Sequence, residues 1–476
     1  MMAQDTDSIC AIATSAGRSG IGIIRISGSI TSTICNQLLG FTPTNRYAHY
    51  CKFLGPDEET IDQGLAIYFQ APNSFTGEDV LELHGHGGTY ILNELLGRVI
   101  ALGARQAEPG EFSKRAFLNN KIDLVQAEAI ADLIDANSRK AARSAMRTLQ
   151  GDFSRQIVAL VEKLIATRVN VEAAIDFTDE DIDVLSDTKV VEFLQSILDQ
   201  LNTTYSHARQ GALLKEGLRV VIAGKPNAGK SSLLNALSGQ DSAIVSDVPG
   251  TTRDVLSEQI NIDGMPVHII DTAGLRRSDD VVEREGVRRA QAAIDLADQI
   301  LLVVDYAEAE QAVEKLLEPL GLLNSSDTNS DLTSDDSNRI LAVLQHTTLI
   351  FNKIDLHAGV LPEIGLLEFE GTELCKINIS AKQKLGLDLL RDQLKSSIGY
   401  DSNEEGVFVA RKRHLTSLNK AETLISTALA QLQRRAPLEL VAEDLRLAQK
   451  ELGKITGDFT NDDLLGEIFS TFCVGK

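Results

Sequence analysis

Apolar positions recur along this chain in three different rhythms. Up to about residue 120 the rhythm is mixed. The runs 20–28 (Gly-Ile-Gly-Ile-Ile-Arg-Ile-Ser-Gly) and 79–85 (Asp-Val-Leu-Glu-Leu-His-Gly) alternate and are bounded by glycines, as half-buried strands do. Residues 89–101 carry apolar groups at helical spacing. An α+β domain is expected here. From about 122 to 214 the spacing becomes three and four, as in Leu124, Ala127, Ile130, Ala131 and Ile134. Gly and Pro almost vanish between Gly151 and Gly211. That pattern predicts long helices. The acidic stretch Asp176 to Asp183 reads as a solvated loop.

The third rhythm runs from Leu218 to about Ile379 and repeats strand, glycine turn, helix. Short β-rich runs at 219–223, 267–270, 300–305 and 348–352 are spaced for crossover helices, which predicts a mostly parallel sheet. Inside it, residues 324–338 are almost wholly Ser, Thr, Asn and Asp. Such a segment cannot bury a core and is expected to be a disordered surface insertion. Beyond 383 the helical pattern returns. Helices on both sides of an α/β unit predict that the unit is inserted into one helical domain.

The length of 476 residues fits about three domains, and 43% apolar with 24% charged residues is a globular mixture. A net charge of −22 argues against a chain that coats nucleic acid by charge alone. Local basic groups remain candidates: Arg139, Lys140, Arg143 and Arg147 on one helical stripe, Arg411-Lys412-Arg413, and Arg434 with Arg435. No apolar run reaches the ~18 residues of a membrane span, so no membrane association is expected. Residues 1–11 contain no basic residue, so no targeting peptide is expected. Cysteines at 10, 35, 51, 375 and 473 have no metal or redox spacing, which fits a reduced, cytoplasmic protein. His84 and His86 stand two apart without a third ligand, too little for a metal site. Gly-x-x-Gly-x-Gly at 17–22 lacks the spacing and the helix of a dinucleotide fingerprint.

The chemistry lies in the third region. Gly224-Lys-Pro-Asn-Ala-Gly-Lys230-Ser231 follows an apolar strand and precedes a helix start. Its glycines let backbone N–H groups wrap phosphates, Lys230 reaches the β and γ oxygens, and Ser231 can ligate Mg²⁺. Asp271-Thr-Ala-Gly274 ends a strand, placing a carboxylate near the Mg²⁺ shell. Asn352-Lys353-Ile-Asp355 ends another. A carboxylate there accepts from the N1–H and 2-amino group of guanine, which adenine does not offer. Ser380-Ala381-Lys382 supplies a backbone contact for the guanine oxygen. Four motifs in order and in context predict a GTPase domain.

Its catalytic equipment departs from the Ras type. The position after Asp-x-x-Gly is Leu275, which cannot orient water. Asn227, three residues before Lys230, can place a carbonyl on a monovalent cation beside the phosphates. Water must then be positioned elsewhere, and Glu283 and Glu285 are rivals by sequence.

The chain resembles the tRNA modification GTPase family known as MnmE, also TrmE, over essentially its whole length. The resemblance rests on residues 75–88 (Phe-Thr-Gly-Glu-Asp-Val-Leu-Glu-Leu-His-Gly-His-Gly-Gly) and 107–117 (Ala-Glu-Pro-Gly-Glu-Phe-Ser-Lys-Arg-Ala-Phe). It rests also on Gly250-Thr-Thr-Arg-Asp254, the four GTPase motifs and the terminal Phe472-Cys-Val-Gly-Lys476. It implies a multidomain fold. An N-terminal α+β folate-binding and dimerisation domain (1–121) precedes an α-helical domain (122–216 and 383–476). A Ras-like α/β P-loop GTPase domain (217–382) is inserted into the latter. It implies a homodimer that works with an MnmG-type, FAD-dependent partner on tRNA. The pair installs an aminomethyl or carboxymethylaminomethyl group at C5 of the wobble uridine. The one-carbon unit comes from a 5-formyl- or methylene-tetrahydrofolate, and hydrolysis of GTP with Mg²⁺ and K⁺ is required.

By the same resemblance, GTP is bound by Asn227, Ala228, Gly229, Lys230, Ser231 and Ser232. Ser246, Asp247, Val248, Pro249, Gly250, Thr251 and Thr252 join them, as do Asp271, Thr272, Ala273 and Gly274. Asn352, Lys353 and Asp355 with Ser380, Ala381 and Lys382 complete the set. Ser231 and Thr252 are implied Mg²⁺ ligands, and Asn227, Ser246, Val248 and Thr251 implied K⁺ ligands. Ser246 and Pro249 depart from the threonine and alanine common in relatives, and Pro249 stiffens its loop. Glu283 aligns with the family's water-positioning glutamate. Arg25, Glu82, Lys121 and Lys476 match its folate contacts. The tail places the thiol of Cys473 near the folate site, a candidate nucleophile if its pKa is lowered. The rival readings are a ribosome-associated switch GTPase without modification activity, and a non-hydrolysing scaffold. The N-terminal domain and tail argue against the first. Intact Lys230, Ser231, Thr252 and Asp271 argue against the second.

Overall fold

The computed structural model describes residues 7–15, 17–136, 138–176, 187–238, 257–263, 265–271, 292–320, 334–369, 371–398, 400, 407–458 and 462–475. The chain divides into two compact units. One comprises Met1–Asp135, Ala145–Tyr205 and Arg411–Lys476, the other Ala136–Ser144 and Ser206–Ala410.

The first unit opens with β1 (Ile9–Ile12), β2 (Ser19–Ser27), α1 (Thr31–Leu39), β3 (Ala48–Leu54), β4 (Thr60–Phe69), β5 (Val80–Gly87), α2 (Thr89–Ala101), β6 (Arg105–Gln106) and α3 (Glu111–Leu118). The strands form a sheet in the order β3-β4-β5-β2-β1-β6, antiparallel except for β1 with β6. Alternation does the sorting. Ile24 and Ile26 of β2 and Leu81 and Leu83 of β5 point into a core with Ile34, Leu38, Leu92, Leu95 and Val99 of α1 and α2. Arg25 and Glu82, directly paired across β2 and β5, take the other face. The strands expected at 20–28 and 79–85 and the helix at 89–101 are all present. Along the chain there follow α4 (Leu124–Ile134), α5 (Arg139–Leu149), α6 (Asp152–Asp176) and α7 (Asp187–Glu216), of which α5 up to Ser144 and α7 from Ser206 belong to the second unit.

The second unit carries β7 (Leu218–Ala223), α8 (Lys230–Ser238), β8 (Ser257–Ile262), β9 (Met265–Asp271), β10 (Gln299–Asp305), α9 (Val313–Leu317), α10 (Ser334–Gln345), β11 (Thr347–Asn352), β12 (Glu363–Phe369), β13 (Thr372–Asn378) and α11 (Leu387–Ser397). The strand order is β12-β13-β11-β10-β7-β9-β8. The five inner strands are parallel and only the edges, β12 and β8, pair antiparallel. Near-continuous apolar runs such as Ile-Leu-Leu-Val-Val in β10 are what a sheet covered on both faces requires.

Two expectations need correction here. Of the segment 324–338, residues 334–338 are the first turns of α10, and 324–333 lie outside the described residues. Ser and Asp are the types that open helices, and the apolar Ile340, Val343 and Leu344 behind them pack into the core with Leu349 and Leu374. The second compact unit also extends past 382, to Ala410. Leu387, Leu390 and Leu394 of α11 are buried with Ile377 and Ile379 of the sheet, so this helix completes the α/β layer.

The chain then returns to the first unit as α12 (Lys412–Gln433), α13 (Leu438–Thr456) and α14 (Asp462–Ser470). Helix α13 packs on α12, α6 and α4, while α14 packs on α3. The junction of α4 with α12 is ionic and buried. Arg413 clamps Glu128 through two nitrogens, both at 2.8 Å, and Arg411 holds Asp132 at 2.9 Å. His414 Nδ1 accepts the Arg411 amide at 3.0 Å, so the neutral ring carries its proton on Nε2, 3.0 Å from Glu128 Oε2. Burial, with the Arg413 charge beside it, pulls His414 down to about 4. Burial alone would raise Glu128, but His414 and Arg413 outweigh it and hold that carboxyl well below the usual range. Arg411 and Arg413 are thus internal clamps, which corrects their candidacy as tRNA contacts. Lys140 donates to the Asp263 carbonyl at 2.7 Å, while Arg147, 43% exposed, meets Asp152 at 3.0 Å in a surface pair that leaves it a candidate.

A pH dependence follows. In the unfolded chain His414 takes up a proton near 6.5, in the folded chain only near 4. Between those values the unfolded state binds the extra proton, so stability falls as pH falls. Urea midpoints measured from pH 7 to pH 4.5 should drop by the equivalent of ~2–3 kcal/mol from this group, and His414→Gln should flatten that slope.

Candidate functional site

Strand β7 delivers the phosphate loop at its C-terminal end, and Lys230 begins α8. Asn227 sits in the left-handed region at φ 64 with its side chain exposed, and Ser231 and Ser232 are exposed on the first turn of α8. A helix N-terminus following a loop of free N–H groups is an anion site. Lys230 is buried to 8% exposure, and its Nζ donates to the carbonyls of Gly224 and Lys225, both at 2.8 Å. The amine is therefore held over the centre of its own loop.

The guanine motif is tied to that loop by one side chain. Asn352, 2% exposed at the end of β11, donates through Nδ2 to the Ala228 carbonyl at 3.0 Å. Its Oδ1 accepts the Ala381 amide at 3.0 Å. The amide of Asn352 thus bridges the phosphate loop to the Ser380-Ala381-Lys382 segment. Gly229 is required for this approach, because a Cβ there would sit 2.1 Å from Asn352 Nδ2, and its φ of +102° disfavours any side chain. Asp355 is half-buried, and its Oδ1 accepts from Ser380 Oγ at 2.6 Å, while that same Oγ accepts the Gln383 amide at 3.1 Å. Lys353 has φ 70, which turns its stem out of the strand direction. Asn227, Ala228, Gly229, Lys230, Ser231, Ser232, Asn352, Lys353, Asp355, Ser380, Ala381 and Lys382 therefore cluster at the C-terminal ends of parallel strands, where such sheets bind ligands.

Asp271 ends β9, one strand from the phosphate loop. Ser246, Asp247, Val248, Pro249, Gly250, Thr251, Thr252, Thr272, Ala273, Gly274, Leu275, Glu283 and Glu285 lie outside the described residues, as does Lys476. Of the residues expected to hold ions, Ser231, at the helix start beside Lys230, and Asn227 are among the described ones. Both present oxygen donors, the type that hard cations take.

A second cluster lies in the first unit, around the Arg25–Glu82 pair. Arg25 Nε donates to Glu82 Oε1 at 2.9 Å, and Arg25 stands 5.9 Å from the ring centre of Phe75 and 5.7 Å from that of Phe112. His84 Nε2 meets the other oxygen of Glu82 at 3.2 Å. The His84 ring, with Arg25 and against the effect of burial, holds Glu82 below the usual carboxylate range. The C-terminal tail closes onto this cluster. Phe472 is buried with Leu124, Phe469 and Ile468, Val474 bridges Pro109, and Arg25 Nη1 donates to the Gly475 carbonyl at 3.3 Å. The close passage depends on Gly110, whose φ is 65 and whose Cβ would lie 2.7 Å from the Phe469 carbonyl. Lys121 Nζ donates to the Pro72 carbonyl at 2.9 Å, on the loop that carries Phe75. Cys473 is exposed, and its backbone carbonyl accepts the Gly110 amide at 3.3 Å. His84, Phe75, Phe112 and the Gly475 carbonyl were not singled out from the sequence as members of this cluster. Alternation along β5 places His84 on the face of Glu82, which was the available signal.

Comparison with known proteins decides the family. Residues 124–473 match the MnmE helical domain, and residues 8–121 match the GTP-binding protein TrmE N-terminus. The chain belongs to the MnmE family of tRNA modification GTPases. It is 55% identical over 470 residues to the tRNA modification GTPase MnmE of Hydrogenovibrio crunogenus, covering 99% of each chain. It is 51% identical to the MnmE of Pseudomonas paraeruginosa over 475 residues and 100% of each. It is also similar to the G domain of the T. maritima FeoB iron transporter, at 21% identity and TM-score 0.21 over 38% of this chain and 98% of that one. That likeness is too slight to carry an argument. As an MnmE-family member the chain is a GTP hydrolase, built from an N-terminal TrmE domain, a helical domain and a P-loop G domain with a mostly parallel sheet. Among the described residues no helix is long and apolar enough to cross a membrane.

The base-reading role expected of Asp355 has a sharp test. Asp355→Asn replaces a pure acceptor with an amide that can donate to a 2-oxo group. The variant should lose ~100-fold or more in affinity for GTP and prefer XTP, as read by competition against a fluorescent guanine nucleotide.

Proposed function

We propose that the chain is a K⁺-activated GTPase that, as a cytoplasmic homodimer and with an MnmG-type FAD-dependent partner, modifies C5 of the wobble uridine of tRNA. The group installed is aminomethyl or carboxymethylaminomethyl, and its one-carbon unit comes from a tetrahydrofolate. The observation that carries this reading beyond GTP hydrolysis is the tail-closed cluster of Arg25 and Glu82. A carboxylate kept ionised suits the amino and ring N–H edge of a pterin, and Arg25 or the tail lysine suits a carbonyl or glutamate tail. Phe75 and Phe112 offer flat apolar faces beside it. Lys121 and Lys476 complete the folate contacts, and Cys473 stands at the same tail as a candidate nucleophile.

Dimerisation is supported by the sheet face opposite α1 and α2. There Tyr50 is 71% exposed, Leu65 opposite it 39% and Ile21 62%, apolar groups that a partner's surface would cover. With MnmE-family membership, tRNA is the substrate. Its binding draws on the partner and on Arg139, Arg143, Arg147, Lys412, Arg434 and Arg435, since Lys140, Arg411 and Arg413 are engaged by Asp263, Asp132 and Glu128.

In the nucleotide site, Lys230 and the loop amides bind the phosphates, Asp355 and Ala381 bind guanine, and Glu283 positions the attacking water. Mg²⁺ held by Ser231 and Thr252, and K⁺ held by Asn227, Ser246, Val248 and Thr251, supply positive charge where the β–γ bridge gains negative charge. Leu275 cannot take the part of a water-orienting glutamine, so that part falls to Glu283. The plain switch GTPase of a ribosome-associated protein would use Asn227 equally, but would leave the Arg25–Glu82 cluster without a task.

GTPase rates in KCl and NaCl at equal ionic strength test the reading. K⁺ should raise kcat by about tenfold or more, and Glu283→Ala should abolish most of that rate while GTP still binds. Equal rates in the two salts would remove the cation mechanism.

A further inference from the structure

The end of β10 ties the phosphate loop and the guanine motif together from outside both motifs. β10 stops at Asp305, opposite Asn352 in the parallel ladder, and the chain turns into a single 3-10 turn, Tyr306–Glu308. Asp305 Oδ1 caps that turn by accepting the Ala307 amide at 3.1 Å. Its Oδ2 accepts from Lys353 Nζ at 2.7 Å. Three residues on, Glu308 Oε2 accepts from Lys225 Nζ at 2.9 Å. Lys353 is the second residue of the guanine motif, and Lys225 the second residue of the phosphate loop. Tyr306, between the two carboxylates, packs its ring 5.1 Å from that of His357 and 6.4 Å from that of Phe351, which fixes the turn against β11 and its loop. A cavity of about 80 Å³ is lined by both lysines and both carboxylates together with Asn227 and Ala228.

We propose that Asp305 and Glu308 are positioning residues for the nucleotide: through Lys353 and Lys225 they hold the guanine motif and the phosphate loop at one spacing before GTP arrives. Two loops that meet a ligand at opposite ends must be ordered relative to each other, and ordering them in advance lowers the cost of binding. Both carboxylates stand on one stretch of backbone, the end of β10 and the 3-10 turn after it, so one segment sets the spacing of the two lysines. This role has the opposite sign to the one that charge alone would give. Two carboxylates beside a phosphate site repel the anion, so on field alone their neutralisation would tighten binding. A positioning role predicts that it weakens binding.

The test uses the full-length chain with Mg²⁺ and K⁺, comparing Asp305→Asn, Glu308→Gln and the double variant. Each side chain is about a third exposed (28% and 31%), so the single effects are modest. The Kd for a fluorescent GDP and the KM for GTP should rise about two- to threefold in each single variant and about five- to tenfold in the double, with kcat at saturating GTP within about twofold of wild type. The losses from Lys225→Met and Glu308→Gln should be less than additive, because either one alone breaks the pair. Unchanged or tighter nucleotide binding in the double variant overturns the proposal, as does a fall in kcat at constant KM. Additive losses for Lys225→Met and Glu308→Gln overturn the pairing. Glu308→Gln alone, at a partly exposed site, keeps the test decisive if Asp305→Asn lowers the yield of folded protein.

Discussion

The nucleotide site depends on one buried amide. Asn352 has a single donor–acceptor head, and both ends are spent on the backbone of other motifs: Ala228 of the phosphate loop and Ala381 of the last guanine contact. A buried amide left half-satisfied would cost ~1–3 kcal/mol, so this geometry is strongly favoured once the strands are in place. The rest follows from it. Gly229 must lack a side chain to admit Asn352, Asp355 is carried three residues beyond it, and Ser380 meets Asp355 because Ala381 has been fixed. Parallel strands make this possible by ending side by side, and Asp305 adds a second tie one strand away.

The other cluster rests on a different constraint, the return of the chain end to its beginning. Phe472 anchors the tail in an apolar pocket with Leu124 and Phe469, and the next three residues run along Pro109 and Gly110 to reach Arg25. Arg25 and Glu82 are cross-strand partners whose alternation keeps them off the helix-covered face. Without the tail they would read as an ordinary surface ion pair. With it, a carboxylate, a guanidinium, two aromatic rings and a backbone carbonyl share one small region.

Much of this was legible in the chain's periodicity. Period-two alternation marked β2 and β5, near-continuous apolar runs marked the parallel strands, and ordered motifs marked the nucleotide loops because their chemistry demands fixed residue types. What escaped was set by distance in sequence. Glu128 and Arg413 are 285 positions apart, and nothing local in either helix announces the pairing. The basic residues Arg411 and Arg413 looked like candidates for an anion because charge reads the same whether a carboxylate or solvent waits beside it. Residues 334–338 at the start of α10 read as a disordered insertion because Ser and Asp favour both loops and helix starts. The boundary at 382 fell short because α11 has the same helical period as its successors and differs only in what its leucines meet.

The central claim is that this chain joins a guanine-nucleotide site to a separate one-carbon site closed by its own tail. The most direct measurement reconstitutes the wild-type chain and Glu82→Gln with the flavoprotein partner, GTP, a tetrahydrofolate one-carbon donor and tRNA, and reads the wobble nucleoside by mass spectrometry. The account predicts the modified uridine with wild type, and its loss by tenfold or more with Glu82→Gln, since a neutral amide no longer offers an ionised acceptor to the pterin edge. Modification by Glu82→Gln at the wild-type rate would contradict it.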